Sequence, residues 1–237
     1  MLRDFRPTLA MMPLHAITEV YGEEGLRERF LHEISRFGEA DRVRLEQALD
    51  LAADLHGGQR RVREPYLNHL LRVTIRILHY YRVDDVDVLV AALLHDAAED
   101  QADKLVGSAD TTAALDRLGE LFGPRVRRLI AAVTNPEYTP DRHEHEQYRE
   151  HLAESLDAEP WARVIKISDF TDNGVGVIHT TGPKVSSSAR KYRPLVPLFR
   201  ELIPRADTPL SDAAKAHILD QLDLAEERFA AILDGRV

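Results

Sequence analysis

The chain has 237 residues, 44% hydrophobic and 30% charged, with a formal charge of -9 and no cysteine. This length and balance suit one large packed domain and argue against general disorder, while the acidic excess argues against sequence-independent binding to nucleic acid or an anionic membrane. Without cysteine there is no disulfide, thiolate zinc site or cysteine nucleophile. The start, MLRDFRPTLAMMPLHAITEV, is broken by Arg3, Asp4, Arg6 and two prolines. It offers no signal-peptide core, and no apolar run approaches the length of a membrane span, so a cytoplasmic protein is expected.

Helical spacing dominates from there on. Residues 1–38 read as an N-terminal helical extension packed on the domain that follows, residues 39–237. Between Arg42 and His56, the residues Val43, Leu45, Leu49, Leu51, Ala52 and Leu55 fall mostly three, four and seven apart, the stripe of an amphipathic helix. Similar patterns predict helices near 67–82, 86–101, 111–122, 124–134, 142–156, 160–172, 188–203 and 211–233. Gly57-Gly58, Glu64-Pro65, Asp84-Asp85, Gly107-Ser108, Gly123-Pro124, Asn135-Pro136 and Gly182-Pro183 separate them, and Ser211 is a candidate cap for the last. No strand alternation, repeat or long polar linker intervenes. The expected architecture is all-α, a single helical bundle of about eight to ten helices.

The apolar run Val88-Leu89-Val90-Ala91-Ala92-Leu93-Leu94 finishes in His95-Asp96-Ala97-Ala98-Glu99-Asp100. Burying ionisable groups costs free energy unless they are paired, hydrogen bonded or bound to a metal. On a continuous helix His95 and Glu99 share a face, as do Asp96 and Asp100, so the segment offers two adjacent rows of ligands or acid/base groups. A helix end meeting solvent is the ordinary alternative. Further ligands would come from Pro65-Tyr66-Leu67-Asn68-His69 and from Val164-Ile165-Lys166-Ile167-Ser168-Asp169-Phe170-Thr171-Asp172-Asn173. The run Asp141-Arg142-His143-Glu144-His145-Glu146 reads as a solvated helix start, because histidines two apart point to different faces.

Four stretches in order, LHGGQRRVREPYLNHLLRV, VLVAALLHDAAED, LFGPRVRRLIAAVTN and VIKISDFTDN, spread over roughly residues 40–200. Together they resemble the HD-domain metal-dependent phosphohydrolases, and more closely their alarmone-hydrolase branch, the Rel/Spo-type hydrolase domains and small alarmone hydrolases. The resemblance implies an HD-type bundle in which His69, His95, Asp96 and Asp169 hold one Mn2+ ion, other first-row divalent metals being possible. It makes Glu99 and Asp100 the acid/base carboxylates, without saying which is the main one, and Arg61, Asn173 and Tyr192 the nucleotide contacts. His56 corresponds to a histidine outside the metal ligands. Arg60, Arg61 and Arg63 fit a pocket for a polyanion.

Two departures bear on the substrate. The loop from Gln59 to Pro65 is a residue shorter than the usual pattern, with Val62 where a basic residue is common, and Phe170, Thr171 and Asp172 replace the usual basic, apolar and His or Tyr residues. The resemblance implies hydrolysis of the 3′-diphosphate of (p)ppGpp to GDP or GTP and pyrophosphate. The alternatives are an HD phosphohydrolase acting on another nucleotide 3′- or 5′-phosphate, and a nucleotide-sensing module without turnover.

Overall fold

The computed structural model describes residues 6–61, 64–174 and 184–235, so Val62, Arg63 and the Gly182-Pro183 breaker lie outside the described residues. Among the described residues no strand forms, and a single isolated antiparallel bridge pairs Arg60 with Pro65. The all-α expectation holds. The helical segments are more numerous than the eight to ten expected, because several apolar stripes are divided. The chain falls into two compact units, Met1–Val126 and Arg127–Val237.

In the first unit, α1 (Arg6–Met11), α2 (Leu14–Tyr21) and α3 (Gly25–Ile34) precede the long α4 (Glu39–Leu55). At the α2–α3 junction a Cβ on Gly25 would come within 2.8 Å of Tyr21 Cβ and 2.9 Å of Ile17 Cγ2, so the close turn there requires glycine. Helix α3 packs on α1, α2 and α5 (Leu67–Ile75), burying Leu26, Phe30 and Ile34. Lys104 donates to the Leu55 carbonyl and so covers the end of α4. Gly58, with φ +84, turns the chain into the loop that leads to α5.

The expected helix over 67–82 is present, but its last turn, Arg76–Tyr80, widens to π geometry. Helix α6 (Val86–Leu93) packs against α4 and α5, and Val88 through Leu94 are all buried. A helix apolar on every side belongs in a core. Its N-terminus is capped by Asp85, whose side chain accepts from the amides of Asp87 and Val88. The Arg125 guanidinium holds Asp85 at 2.7 Å through two nitrogens. Burial pushes the Asp85 carboxyl up, but Arg125 and the two amides outweigh it and hold the group below the usual carboxylate range. Then α7 (Ala97–Asp100), α8 (Ala102–Val106) and α9 (Thr111–Phe122) pack in sequence, and the boundary between units falls within α10 (Pro124–Val133).

The second unit continues with α11 (Glu144–Ala158), α12 (Pro160–Asn173), α13 (Lys184–Tyr192), a 3-10 turn at Arg193–Leu195, α14 (Val196–Leu202) and α15 (Asp212–Leu233). His143 caps α11 by accepting from the His145 amide, and the surrounding acidic and basic residues are mostly exposed, as expected for a solvated helix start. Pro194 and Pro197 divide the stripe expected as one helix over 188–203, since each lacks a donor for the turn before it. Ser211 caps α15 through the Ala214 amide at 3.2 Å, the role expected of it. Residues Ala162 through Asp172 of α12 are all buried, with Phe170 packed among Phe199, Phe229 and Tyr192.

Candidate metal centre and active site

The HD segment departs from the continuous helix expected over 86–101. Helix α6 stops at Leu93, residues 94–96 form a turn, and α7 restarts at Ala97. The two rows of side chains therefore do not run along one uninterrupted helix. The Asp100 amide still reaches the Asp96 carbonyl at 2.9 Å, so α7 grows directly from Asp96.

The turn delivers His95 into the core while Asp96 stays at its edge. His95 and His69 are buried, and the Asp96 side chain is 20% exposed. His69, in the first turn of α5, presents its ring to that of His95 at a centroid distance of 5.4 Å. The ligand atoms the two rings offer lie within 4.8 Å of each other. Both Nε2 atoms face one oxygen, Asp96 Oδ2, at 3.7 Å from His69 and 3.2 Å from His95.

The tautomer of His95 follows from its other nitrogen. Nδ1 lies 2.9 Å from the Ala92 carbonyl oxygen, which can only accept, so Nδ1 carries a proton. In the neutral ring Nε2 is then a lone pair directed at a carboxylate. Two electron-rich groups facing each other suit a cation between them, and a backbone carbonyl behind the imidazole is the usual device that orients a metal-binding histidine. The donor set fits a divalent first-row ion.

Tyr66, three residues before His69, was not singled out by the sequence. Its hydroxyl donates to Asp96 Oδ2 at 2.7 Å. Burial first, then the Asp96 charge and this hydrogen bond, push its phenol far above the ordinary tyrosine range, so it remains a donor. His56 stacks on Tyr66 at 4.8 Å and 10° and shares Nδ1 with Gln59 Oε1 at 2.7 Å. Burial lowers the His56 pKa, against the opposing pull of Gln59, Asp96 and Asp100. Gln59 Oε1 also accepts from Gln101 Nε2 at 2.8 Å, and Gln59 Nε2 donates to Asp100 Oδ2 at 3.3 Å. His56 thus stands behind the candidate ligands, as the resemblance implied.

Glu99 and Asp100 are both exposed on α7. Arg61 holds its guanidinium 5.3 Å from the Tyr66 ring centroid. Its loop is pinned by a two-pronged pair between Arg72 and Glu64, at 2.6 and 2.8 Å, and by Arg60 with Glu23 at 2.6 Å. Arg63 lies outside the described residues.

In the second unit, Asp169 is buried on α12 and pairs with Lys166 Nζ at 3.0 Å through Oδ2, while Oδ1 accepts from Asn173. Asn173 thus reaches the carboxylate one turn before it. Lys166 and Lys191 approach the Tyr148 ring at 5.6 and 4.9 Å. Tyr192 meets Phe170 edge-on at 6.1 Å, so Phe170 serves the aromatic core of this unit.

Two buried imidazoles turned toward one carboxylate, with an acidic pair on the next turn, are the arrangement implied by the resemblance to the HD-type phosphohydrolases. Comparison with known proteins agrees. The model of the HD domain matches residues 48–159, which include His69, His95, Asp96, Glu99 and Asp100 and stop short of Asp169. The chain is 35% identical over 133 residues to mouse guanosine-3′,5′-bis(diphosphate) 3′-pyrophosphohydrolase MESH1, covering 55% of this chain and 67% of the mouse protein. It is 32% identical over 131 residues to the guanosine-3′,5′-bis(diphosphate) 3′-pyrophosphohydrolase of Aquifex aeolicus, covering 54% of this chain and 17% of that one. In fold it is similar to a solved metazoan ortholog of SpoT described as hydrolysing ppGpp, with a TM-score of 0.58 at 24% identity, over 79% of this chain and 96% of that one. The chain belongs to the HD-domain alarmone-hydrolase family.

Proposed function

We propose that the protein is a divalent-metal-dependent pyrophosphohydrolase that removes the 3′-diphosphate of (p)ppGpp, giving GDP or GTP and pyrophosphate. The observation that carries this reading is the pair of buried imidazoles whose Nε2 atoms face Asp96. The family's known activity, borne by the names of its similar members, supplies the substrate.

In this reading His69, His95, Asp96 and Asp169 would hold one Mn2+ ion. Such an ion supplies Lewis acidity and positive charge toward a diphosphate. The residues do the rest. Glu99 or Asp100 takes a proton from the attacking water, whose oxygen bonds to the phosphorus attached to O3′ as the P–O3′ bond breaks. The departing O3′ ends protonated, so the water is divided between the two products. Arg61 stacks on the base or meets phosphate, and Asn173 and Tyr192 complete the nucleotide contacts. Residues 39–237 would form the hydrolase domain, with 1–38 as an extension packed on it. The protein would work in the cytoplasm on a small nucleotide, without nucleic-acid or membrane partners. Among the described residues no helix is long and apolar enough to cross a membrane.

The test is product identity. Mn2+-loaded protein is incubated with ppGpp, pppGpp, ordinary nucleoside phosphates and 3′-phosphorylated dinucleotides. GDP with pyrophosphate from ppGpp is expected. Orthophosphate from other nucleotides, with ppGpp untouched, would move the protein to another HD phosphohydrolase activity, and binding without turnover would make it a sensor.

A further inference from the structure

Tyr66 touches both a carboxylate and an imidazole of the candidate centre. Its hydroxyl donates to Asp96 Oδ2, the oxygen nearest both imidazoles, at 2.7 Å. Its ring lies edge-on to His69 at 5.6 Å and 74°, flat against His56 at 4.8 Å, and beneath the Arg61 guanidinium at 5.3 Å. We propose that Tyr66 is the positioning residue of the centre, holding Asp96 toward His69 and His95 with its hydroxyl and seating Arg61 with its ring. The inference rests on the assignment of His69, His95 and Asp96 as ligands.

The physical case is one of orientation. An aspartate at the edge of the core can rotate its carboxylate about the Cβ–Cγ bond, and with its side chain 20% exposed water is ready to accept the rotated form. A charge-assisted O–H···O− bond from a fixed phenol removes that freedom. The phenol is fixed because its ring is held between two imidazoles, and His56 is itself fixed by Gln59 Oε1. Gln59 is held in turn by Gln101, the residue that follows α7. The circuit Asp96, Tyr66, His56, Gln59, Gln101 therefore leaves the segment 96–101 and returns to it, so the loop after α4 braces that segment at both ends. The backbone adds a further tie, since the Tyr66 amide donates to the Gln59 carbonyl at 2.9 Å.

The two roles separate by substitution. Tyr66→Phe removes the hydroxyl and keeps the ring, whereas Tyr66→Leu removes both. Partners that orient a ligand typically cost about 10 to 100-fold in metal affinity when lost. Calorimetric titration with Mn2+ is therefore expected to show Tyr66→Phe weaker by about 10 to 100-fold, with KM for ppGpp at saturating Mn2+ unchanged. Tyr66→Leu should weaken Mn2+ similarly and also raise KM. A residue that only fills space would not divide metal affinity from KM in this way.

His95→Ala serves as the control. If it loses Mn2+ while Tyr66→Phe binds the ion within about twofold of the parent, Tyr66 does not position the centre and the ligand assignment stands. If His95→Ala binds Mn2+ like the parent, the ligand assignment fails and the inference with it. Should Tyr66→Phe not fold, 3-fluorotyrosine at position 66 of the otherwise unchanged chain gives a second readout. Its 19F resonance should shift when Zn2+ saturates the protein and stay in place in His95→Ala, and an unmoved resonance in the saturated parent overturns the proposal.

Discussion

A general base in hydrolysis must come within hydrogen-bond reach of the proton it takes from water, and Glu99 and Asp100 are open to water at the exposed end of α7. Asp100 is further oriented by the Gln59 amide. Glu99→Gln and Asp100→Asn keep the shape of each side chain and remove its charge. Steady-state hydrolysis of ppGpp should fall by about 100 to 10,000-fold for whichever residue carries the proton, with Mn2+ binding by calorimetry retained. Parent rates in both variants would mean that α7 ends in charge only because it meets solvent. The candidate ligands are nominated by the ordered His and Asp motifs that carry the resemblance, since a histidine after an apolar run is by itself more often an ordinary core or boundary residue. Tyr66, Gln59 and Gln101 carry no such signature. Their roles arise from hydrogen bonds that join residues 30 to 42 positions apart, which local spacing does not record.

At the scale of elements, hydrophobic spacing located the helices, and proline and glycine located most of their ends. It missed the division of 188–203 at Pro194 and Pro197, and it missed breaks that have no breaker. Nothing in Leu93-Leu94-His95-Asp96 marks the turn between α6 and α7, and nothing in Arg76–Tyr80 marks the widening to π geometry. Both are settled by packing rather than by local preference. Nor did the sequence single out the anchor at the start of α12, where the fully buried Arg163 donates to Asp207 through two nitrogens at 2.8 and 2.9 Å, to Thr208, and to the carbonyls of Leu156 and Asp157. The Arg163 hydrogen bonds and charge, helped by Arg205, hold the Asp207 carboxyl at about 2. Its folded pKa lies below the unfolded value of about 3.9, so its contribution is full above that value and is lost as pH falls through about 2. Asp207→Asn should therefore destabilise the protein to urea at neutral pH, and its difference from the parent should shrink steadily between about pH 4 and pH 2. An equal difference at both ends of that range would show that Arg163 does not depend on the Asp207 charge.

At the scale of the whole molecule, the proposed ligands are distributed along the chain, three within Met1–Val126 and Asp169 within Arg127–Val237. Residue type alone could nominate Asp169 only through its buried surroundings and the family order, because a lone Asp on a helix has many ordinary uses. In its own unit it is already engaged by Lys166 and Asn173. Linkage gives a direct way to test its assignment. An ion that binds the native chain and not the unfolded one stabilises it by about 2.7 kcal/mol at one hundred times its Kd. For a chain of this length each kcal/mol raises Tm by about 2 to 4 °C, so Mn2+ at that excess should raise the melting temperature of the chelator-treated protein by about 5 to 10 °C. His95→Ala should abolish the rise. Asp169→Ala should abolish most of it as well, because a lost carboxylate ligand weakens the site and lowers its occupancy at the same Mn2+ concentration. Measured side by side by calorimetric scans, a full rise in Asp169→Ala together with none in His95→Ala would confine the ion to the residues of the first unit and remove Asp169 from the ligand set.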